Sequence, residues 1–67
     1  MTPQARQVLD LLIEQPRDVR LLARAMQRTP AHIRQVLQRL RAGGWVRQQI
    51  PLSDPIVWEP TERGLTA

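Results

Sequence analysis

Apolar residues recur along the N-terminal part of the chain with the spacing of amphipathic helices. The first set falls at i, i+3, i+4 and i+7, and consists of Ala5, Val8, Leu9 and Leu12. These positions share one face of a helix that turns every 3.6 residues. Thr2 and Pro3 stand just before them, and a threonine cap followed by proline is typical of a helix start. The pattern predicts a first helix that ends by Pro16.

Two further segments repeat this signal. Asp18 is the expected cap of a short second helix, and its apolar positions are Leu21, Leu22, Ala25 and Met26. A third helix, residues 29–42, opens on a second threonine–proline pair. Its apolar stripe consists of Ile33, Val36, Leu37 and Leu40. Gly43-Gly44 ends it, because glycine readily adopts the left-handed conformation at a helix end.

The periodicity changes after the two glycines. Residues 45–50 and 56–58 are rich in β-branched and aromatic residues, which favours two short strands. Residues 51–55 contain Pro, Ser and Asp, so they predict the turn between these strands. Residues 61–64 predict a last helical turn. The sequence therefore predicts a mainly α fold with a small β-hairpin, in one domain that spans residues 1–67.

Composition removes several classes of protein. The chain has 67 residues, one histidine and no cysteine, so it has no disulfides and cannot supply the usual ligands of a zinc site. Its longest apolar runs have three residues, whereas a membrane span needs about 20. The first residues do not resemble a secretory signal. We expect a cytoplasmic protein with no membrane contact, no metal and no cofactor.

The positive charge is concentrated in the middle of the chain. All ten basic residues are arginines, and the net charge is +4. Residues 17–47 hold eight arginines against Asp18 alone, a net charge of +7, whereas residues 1–16 and 48–67 carry −1 and −2. A basic segment between acidic ones is typical of nucleic-acid binding proteins. The alternative is a solvated basic surface in an arginine-rich proteome.

The second and third helices, joined by a short turn, have the order of a helix-turn-helix, in which the second helix enters the DNA major groove. TPQARQVLDLLIEQ resembles the opening helix of MarR-type winged helix-turn-helix regulators. LLARAMQRTPAHIRQVLQRLRAGGWV is similar to their helix-turn-helix segment, and PTERGL to the segment that follows the wing. The resemblance covers residues 2–65. It implies a winged helix-turn-helix fold of three helices and a two-stranded wing.

The resemblance also implies a function. We expect a double-stranded DNA-binding transcriptional regulator, prokaryotic or from a phage, that reads the major groove with residues 29–42. Gln27 stands where the family usually has glycine in the turn, and Pro60 where it often has leucine. Proline should shorten strand pairing by removing a donor. The family's terminal dimerisation helices have no counterpart here, so no small-molecule ligand is implied.

The face of the third helix opposite the apolar stripe supplies the candidate DNA contacts. We expect base-edge contacts from Ala31, His32, Arg34 and Gln35, because arginine suits guanine, glutamine suits adenine, and alanine meets a thymine methyl. Gln38 and Arg39 are candidates for base or phosphate. Arg28, Thr29 and Arg47 are candidates for phosphate.

Other interpretations remain open. Trp45 and Trp58 are expected to pack in the core, although exposed tryptophans can stack on single-stranded bases.

The wing tip offers Ser53 and Asp54 but no cation, so we expect it to contribute little to DNA binding. These two residues and His32 are the only ingredients of a hydrolase triad, and we expect no catalytic site and no enzyme activity.

Leu11 and Ile13 widen the apolar stripe of the first helix beyond one buried side. They suggest a second contact, and a homodimer through Leu11, Ile13 and Leu65 is one candidate. The alternative function is a winged-helix protein-protein interaction module within a DNA-processing or transcription complex, which would use the same apolar residues. The fold does not decide between these functions.

Overall fold

A computed structural model describes all residues of the chain, Met1–Ala67. Its elements, in chain order, are α1 (Pro3–Glu14), β1 (Arg17–Asp18), α2 (Val19–Met26), α3 (Pro30–Ala42), β2 (Val46–Gln48), β3 (Val57–Pro60) and α4 (Glu62–Leu65). The predicted helices, the hairpin and the final helical turn are confirmed. None of the helices is long and apolar enough to cross a membrane.

Each of the three main helices begins at the predicted cap. The side chains of Thr2, Asp18 and Thr29 accept hydrogen bonds from the backbone N–H three residues later, at 3.1, 2.9 and 3.2 Å. Thr61 caps α4 in the same way, at 3.2 Å. Such bonds satisfy donors that the first turn of a helix leaves free. The helix starts are therefore set by local sequence.

The short strand β1 was not predicted. It pairs with β3 in an antiparallel arrangement that places Arg17 opposite Trp58, so the sheet has three strands in the order β1-β3-β2. The strand has two residues, too few to show an alternating pattern. It connects the end of α1 to the start of α2 and ties both to the hairpin.

Pro60 does not shorten the hairpin, which corrects the expectation from its missing donor. It lies opposite Val46 in the β2–β3 pair, and the next residue, Thr61, donates its N–H to the Trp45 carbonyl at 3.0 Å. Hydrogen-bonded and non-hydrogen-bonded pairs alternate in an antiparallel ladder. The Val46–Pro60 pair is of the second kind, so no ladder bond requires an N–H at residue 60.

One core joins the three helices to the sheet. Its buried apolar side chains come from every element except β1 and α4: Ala5, Val8, Leu9, Leu12, Leu22, Ala23, Ile33, Val36, Leu37, Leu40, Val46 and Trp58. The predicted stripes of α1 and α3 are confirmed. Trp58 lies in the core, and the half-buried Trp45 packs against it.

The predicted apolar face of α2 is partly wrong. Leu21 is 45% exposed and Ala25 is also exposed, while Ala23 is buried. The face turned to the core starts at Val19 and follows the i, i+3, i+4, i+7 spacing from there. Two turns of helix give a weak periodic signal, so a shift of the start by two residues moves the stripe around the helix.

Candidate nucleic-acid interface

The turn between α2 and α3 has the left-handed residue that its geometry requires. Gln27 has φ 55° and ψ 46°, and the N–H of Arg28 bonds to the Ala23 carbonyl at 2.9 Å. This bond to a carbonyl five residues earlier is typical of a helix that ends in a left-handed residue. The turn therefore keeps its shape with glutamine in place of glycine, at a cost of about 1–2 kcal/mol in backbone strain.

The outer face of α3 is open to solvent along its length. The candidate contacts of this helix that are exposed are Ala31, Arg34, Gln35, Gln38 and Arg39. Because the core holds the opposite stripe, the two glutamines and the alanine lie near the middle of this face and the two arginines flank it. The structure therefore brings together the predicted base-contacting and flanking side chains on one surface.

The arginines divide into two groups by their partners. Four have a partner within the chain: Arg6 with Asp10, Arg17 with Glu14, Arg47 with Glu59, and Arg63 with the Trp45 ring. The other six are exposed and make no ion pair: Arg20, Arg24, Arg28, Arg34, Arg39 and Arg41. All six belong to α2, the turn or α3. The exposed arginines that have neither an ion pair nor a ring contact thus all lie in the helix-turn-helix, whereas Arg63 makes no ion pair but is held by Trp45 and the Gly43 carbonyl.

Shallow grooves run along both sides of α3. The groove on the side of α1 is lined by Arg28, Arg39 and Gln35, together with the N-terminal residues of α1. The groove on the side of the wing is lined by Arg20 and Arg34, with Gln38 between helix and sheet. Each groove therefore carries two guanidinium groups that make no ion pair, and the groove on the side of the wing also carries the carboxylates of Asp18 and Asp54.

His32 is only half exposed and has a partner in another helix. Its Nε2 lies 2.8 Å from Oε1 of Gln4, in the first turn of α1. The ring is therefore held at the N-terminal end of α3, and one of its nitrogens is already occupied. Thr29, the helix cap, is exposed beside it.

Arg47 is held by an acidic neighbour on the adjacent strand. Its Nε donates to Oε2 of Glu59 at 2.8 Å, and the two residues are directly opposite in the β2–β3 pair. The side chain remains 65% exposed. The carboxylate offsets the charge, so Arg47 offers a phosphate less attraction than the unpaired arginines do.

The wing tip is apolar and carries no basic residue. Ile50 and Leu52 are 84% and 62% exposed, and Asp54 faces the groove shared with Arg34. A tip of this kind lacks the cations that attract a phosphate backbone. A weak contribution of the wing to DNA binding stays a prediction.

The far end of α3 is attached to α4. The Arg63 guanidinium lies 4.0 Å from the centre of the Trp45 ring, and its Nη1 donates to the Gly43 carbonyl at 2.7 Å. The hydroxyl of Thr61 donates to the Gly44 carbonyl. A cation beside the last carbonyls of a helix is favourable. These contacts fix the C-terminal end of α3 against the sheet.

Two of the candidate dimer residues lie on different sides of α1. Leu11 is half-buried and borders a groove between α1 and α2, next to Ala25 and Met26. Ile13, two residues on, points about 200° away around the helix, with the buried stripe between the two. Leu65 is exposed on α4. A homodimer through these residues stays a prediction.

Two residues that matter at this surface were not among the candidates from sequence. Gln4 holds His32 although 28 positions separate them, and Arg63 holds the end of α3 from a segment with net negative charge. Both depend on tertiary contacts that no local pattern reports. Arg20, which the sequence offers as a flanking phosphate partner, lines the wing-side groove.

Solved structures of a bacterial regulator have the same architecture. ZitR of Lactococcus lactis, in complex with DNA, matches 98% of this chain with a TM-score of 0.89 and 22% identity. A structure described as a zinc-responsive MarR family member, also Lactococcus lactis ZitR, matches 98% with a TM-score of 0.86 and 18% identity. The chain has a winged helix-turn-helix fold.

The likeness concerns part of the regulator. This winged helix-turn-helix chain covers 47% of either ZitR chain, so it spans about half the length of the proteins that it matches. No family model matches the sequence, and no curated protein matches it.

The residues of this chain do not fit a zinc site. No group of three or more His, Cys, Asp or Glu side chains is placed to hold a metal ion. Zinc sites in proteins use three or four such ligands. The single histidine, His32, is bonded to the neutral amide of Gln4.

Proposed function

We propose that the chain binds double-stranded DNA and reads the major groove with the outer face of α3. The observation that carries the proposal is the separation of paired and unpaired arginines. Unpaired guanidinium groups surround α3, while the arginines elsewhere are neutralised or engaged. Phosphate neutralisation with release of counterions supplies nearly all of non-specific DNA affinity and a large share of specific affinity.

The two grooves beside α3 support a specific docking. A helix in the major groove has a sugar–phosphate strand on either side. Arg28 and Arg39 border the groove on the side of α1, which has no carboxylate, so this groove suits a phosphate strand. Arg20 borders the groove on the side of the wing, where Asp18 and Asp54 offset its charge and weaken the attraction for the other strand. The start of α3 adds little to this, because Pro30 has no N–H and the His32 and Ile33 N–H groups are bonded to Thr29, which leaves the Ala31 N–H for an anion.

The outer face of the helix would then meet the base edges. We assign base contacts to Ala31, His32, Arg34 and Gln35, and a base or phosphate contact to Gln38. Arg34 suits guanine through paired hydrogen bonds, Gln35 suits adenine, and Ala31 suits a thymine methyl. Arg47 is the weakest of the candidate phosphate contacts, because Glu59 offsets its charge.

We infer a role in transcription from the architecture. The winged helix-turn-helix is shared with ZitR, a MarR family member solved with DNA. A chain of this kind regulates a gene by occupying an operator and competing with or recruiting polymerase. We place it in a prokaryote or a phage, where such regulators are expected from the sequence resemblance.

The first experiment measures binding to DNA as a function of salt. A duplex selected from a random pool is titrated with the wild type and with Arg28→Gln and Arg39→Gln at several salt concentrations. Each removed phosphate contact should lower the slope of log K against log salt by about 0.9. Arg6→Gln is the matched control, because it removes the same charge from a paired arginine outside the interface.

Two outcomes would contradict the proposal. One is the absence of salt-dependent binding by the wild type. The other is an equal loss for Arg6→Gln and the α3 variants, since that would report net charge and not a defined surface. Arg34→Ala adds a test of base reading, because it should relax preference at one base pair by about 1–3 kcal/mol.

The exposed wing tip favours a second candidate function, protein binding. Ile50 and Leu52 are large aliphatic side chains that the domain leaves in solvent, and neighbouring exposed apolar groups of this kind suit a protein contact. Leu52→Ser separates the two functions. DNA affinity should stay within about twofold of wild type if the wing makes no phosphate contact, whereas self-association measured by sedimentation should fall if the tip binds protein.

A further inference from the structure

A hydrogen bond between Gln4 and His32 joins the first turns of α1 and α3. His32 Nε2 lies 2.8 Å from Gln4 Oε1. An amide oxygen accepts and cannot donate, so the proton on this bond belongs to His32 Nε2. In the neutral imidazole the other nitrogen, Nδ1, is then an acceptor. It has no hydrogen-bond partner within the chain.

The surroundings of the ring are polar and basic. His32 borders a groove that has no hydrophobic lining, beside Gln27, Arg28 and Thr29. A neighbouring groove places Arg39 on the same side of α3. The charged residues that line these two grooves with His32 are Arg28 and Arg39, and neither groove contains a carboxylate.

We propose that Gln4 is a positioning residue for base recognition by His32, an inference that rests on the proposed DNA-binding function. Gln4 fixes the imidazole with its proton on Nε2 and leaves Nδ1 to accept a hydrogen bond from DNA. In the major groove the donors are the amino groups of adenine and cytosine, whereas guanine N7 and O6 and the phosphates are acceptors. The neutral ring therefore selects adenine or cytosine at its base pair.

The positions of Gln4 and His32 at two helix ends explain how the imidazole is held in one orientation. Gln4 lies in the capped first turn of α1, and His32 is the third residue of α3, whose N–H is bonded to its own cap. Both partners thus stand on fixed helix ends, and α1 packs against α3 through the core. A side chain held in one orientation discriminates better than one that must be ordered on binding.

The hydrogen bond is tested first in the free protein, by ¹⁵N NMR of the imidazole at pH 8. The chain has one histidine, so its ring signals need no assignment among several. We expect the wild type to show the Nε2–H form with an observable Nε2 proton. Gln4→Ala should lose this proton signal to exchange with water, and Gln7→Ala, an exposed glutamine on the same helix, should retain it.

This measurement can overturn the inference without any DNA. A ring that carries its proton on Nδ1, or ring signals that are the same in wild type and Gln4→Ala, would show that Gln4 does not set the state of His32. The folding of each variant is checked by circular dichroism. Gln4→Glu is a second variant at this position, and it keeps the length of the side chain.

Base preference is tested next, on a duplex that the wild type selects from a random pool, with all four base pairs placed in turn at each position. Gln4→Ala should relax preference by about fivefold or more at the same single position as His32→Ala. The double variant should be no worse than His32→Ala alone. Gln4→Glu should shift that position toward guanine, because a carboxylate favours the doubly protonated ring, whose Nδ1 donates.

The outcomes separate this inference from the proposed function. If the wild type fails to bind duplex DNA, the proposed function fails and base reading by His32 fails with it. If the wild type binds and Gln4→Ala has the same base preferences as Gln7→Ala, only the role of Gln4 is overturned.

Discussion

Gly64 packs its backbone directly against the carbonyl group of Trp45. A Cβ on residue 64 would overlap the Trp45 carbonyl oxygen and come within 3.2 Å of Leu9 Cδ1. The same carbonyl accepts the N–H of Thr61 at 3.0 Å, so it cannot move away freely. The glycine in the PTERGL segment is therefore required by a close approach between α4 and the start of the hairpin.

Gly64→Ala should destabilise the domain. The methyl group meets backbone atoms, which yield less than the end of a side chain, and overpacking of this kind costs about 1–3 kcal/mol. Urea unfolding followed by tryptophan fluorescence measures the loss. Leu65→Ala, an exposed position on the same short helix, is the control and should lose less. An equal loss in both variants would mean that the close approach at Gly64 is not the cause.

Arg63→Gln should loosen the junction between α3 and α4. It removes the guanidinium that lies over the Trp45 ring and donates to the Gly43 carbonyl, and a cation–π contact at an exposed site is worth about 0.5–1 kcal/mol. We expect a loss of that size in urea unfolding. Arg63→Lys should recover part of it, because it keeps the charge but not the planar fork. Unchanged stability in Arg63→Gln would contradict this account.

Gln27→Gly should stabilise the domain. Gln27 is the only non-glycine residue with positive φ, and glycine adopts that conformation without steric cost. The gain in the folded state is partly offset by the greater entropy of glycine in the unfolded chain, so we expect about 0.5–1 kcal/mol net. Gln15→Gly, at an exposed position with negative φ, should not stabilise. A loss of stability in Gln27→Gly would show that the side chain contributes to the turn.

Glu59→Gln should increase affinity for DNA. The carboxylate holds the Arg47 guanidinium across the hairpin, and its removal frees one cation for a phosphate, which should raise the salt slope by about 0.9. Glu62→Gln makes the same change in charge at an exposed acid on α4 that has no ion-pair partner. Fluorescence anisotropy of a labelled duplex compares the two. Equal gains would point to net charge, and Arg47 would then have no phosphate role.

The sequence predicted what local rules control. The caps at Thr2, Asp18 and Thr29 are each determined by a side chain and a backbone group three residues apart, so the helix starts follow from short motifs. The apolar stripes of α1 and α3 extend over three turns and give a clear period. The apolar stripe of α2 covers only two turns and gives no clear period, so the sequence wrongly assigned Leu21 to the buried face.

The details of the interface depend on contacts between distant residues. Gln4 meets His32, and Glu59 neutralises Arg47, only after the core has brought their elements together. The net charge of residues 17–47 points to the segment that holds the unpaired arginines, but it also counts Arg17, which is largely buried and donates to the Leu11 carbonyl at 3.2 Å. The fold therefore determines which arginines remain without an ion-pair partner.

The six unpaired arginines also repel one another in the free domain. Folding brings these like charges together within a radius of gyration of 10.5 Å, and self-repulsion of this kind opposes the compact state. Added salt should therefore raise the melting temperature of the isolated domain while it weakens the complex with DNA. A polyanion that binds only the folded state would also reduce this repulsion. Its binding would therefore stabilise the folded domain.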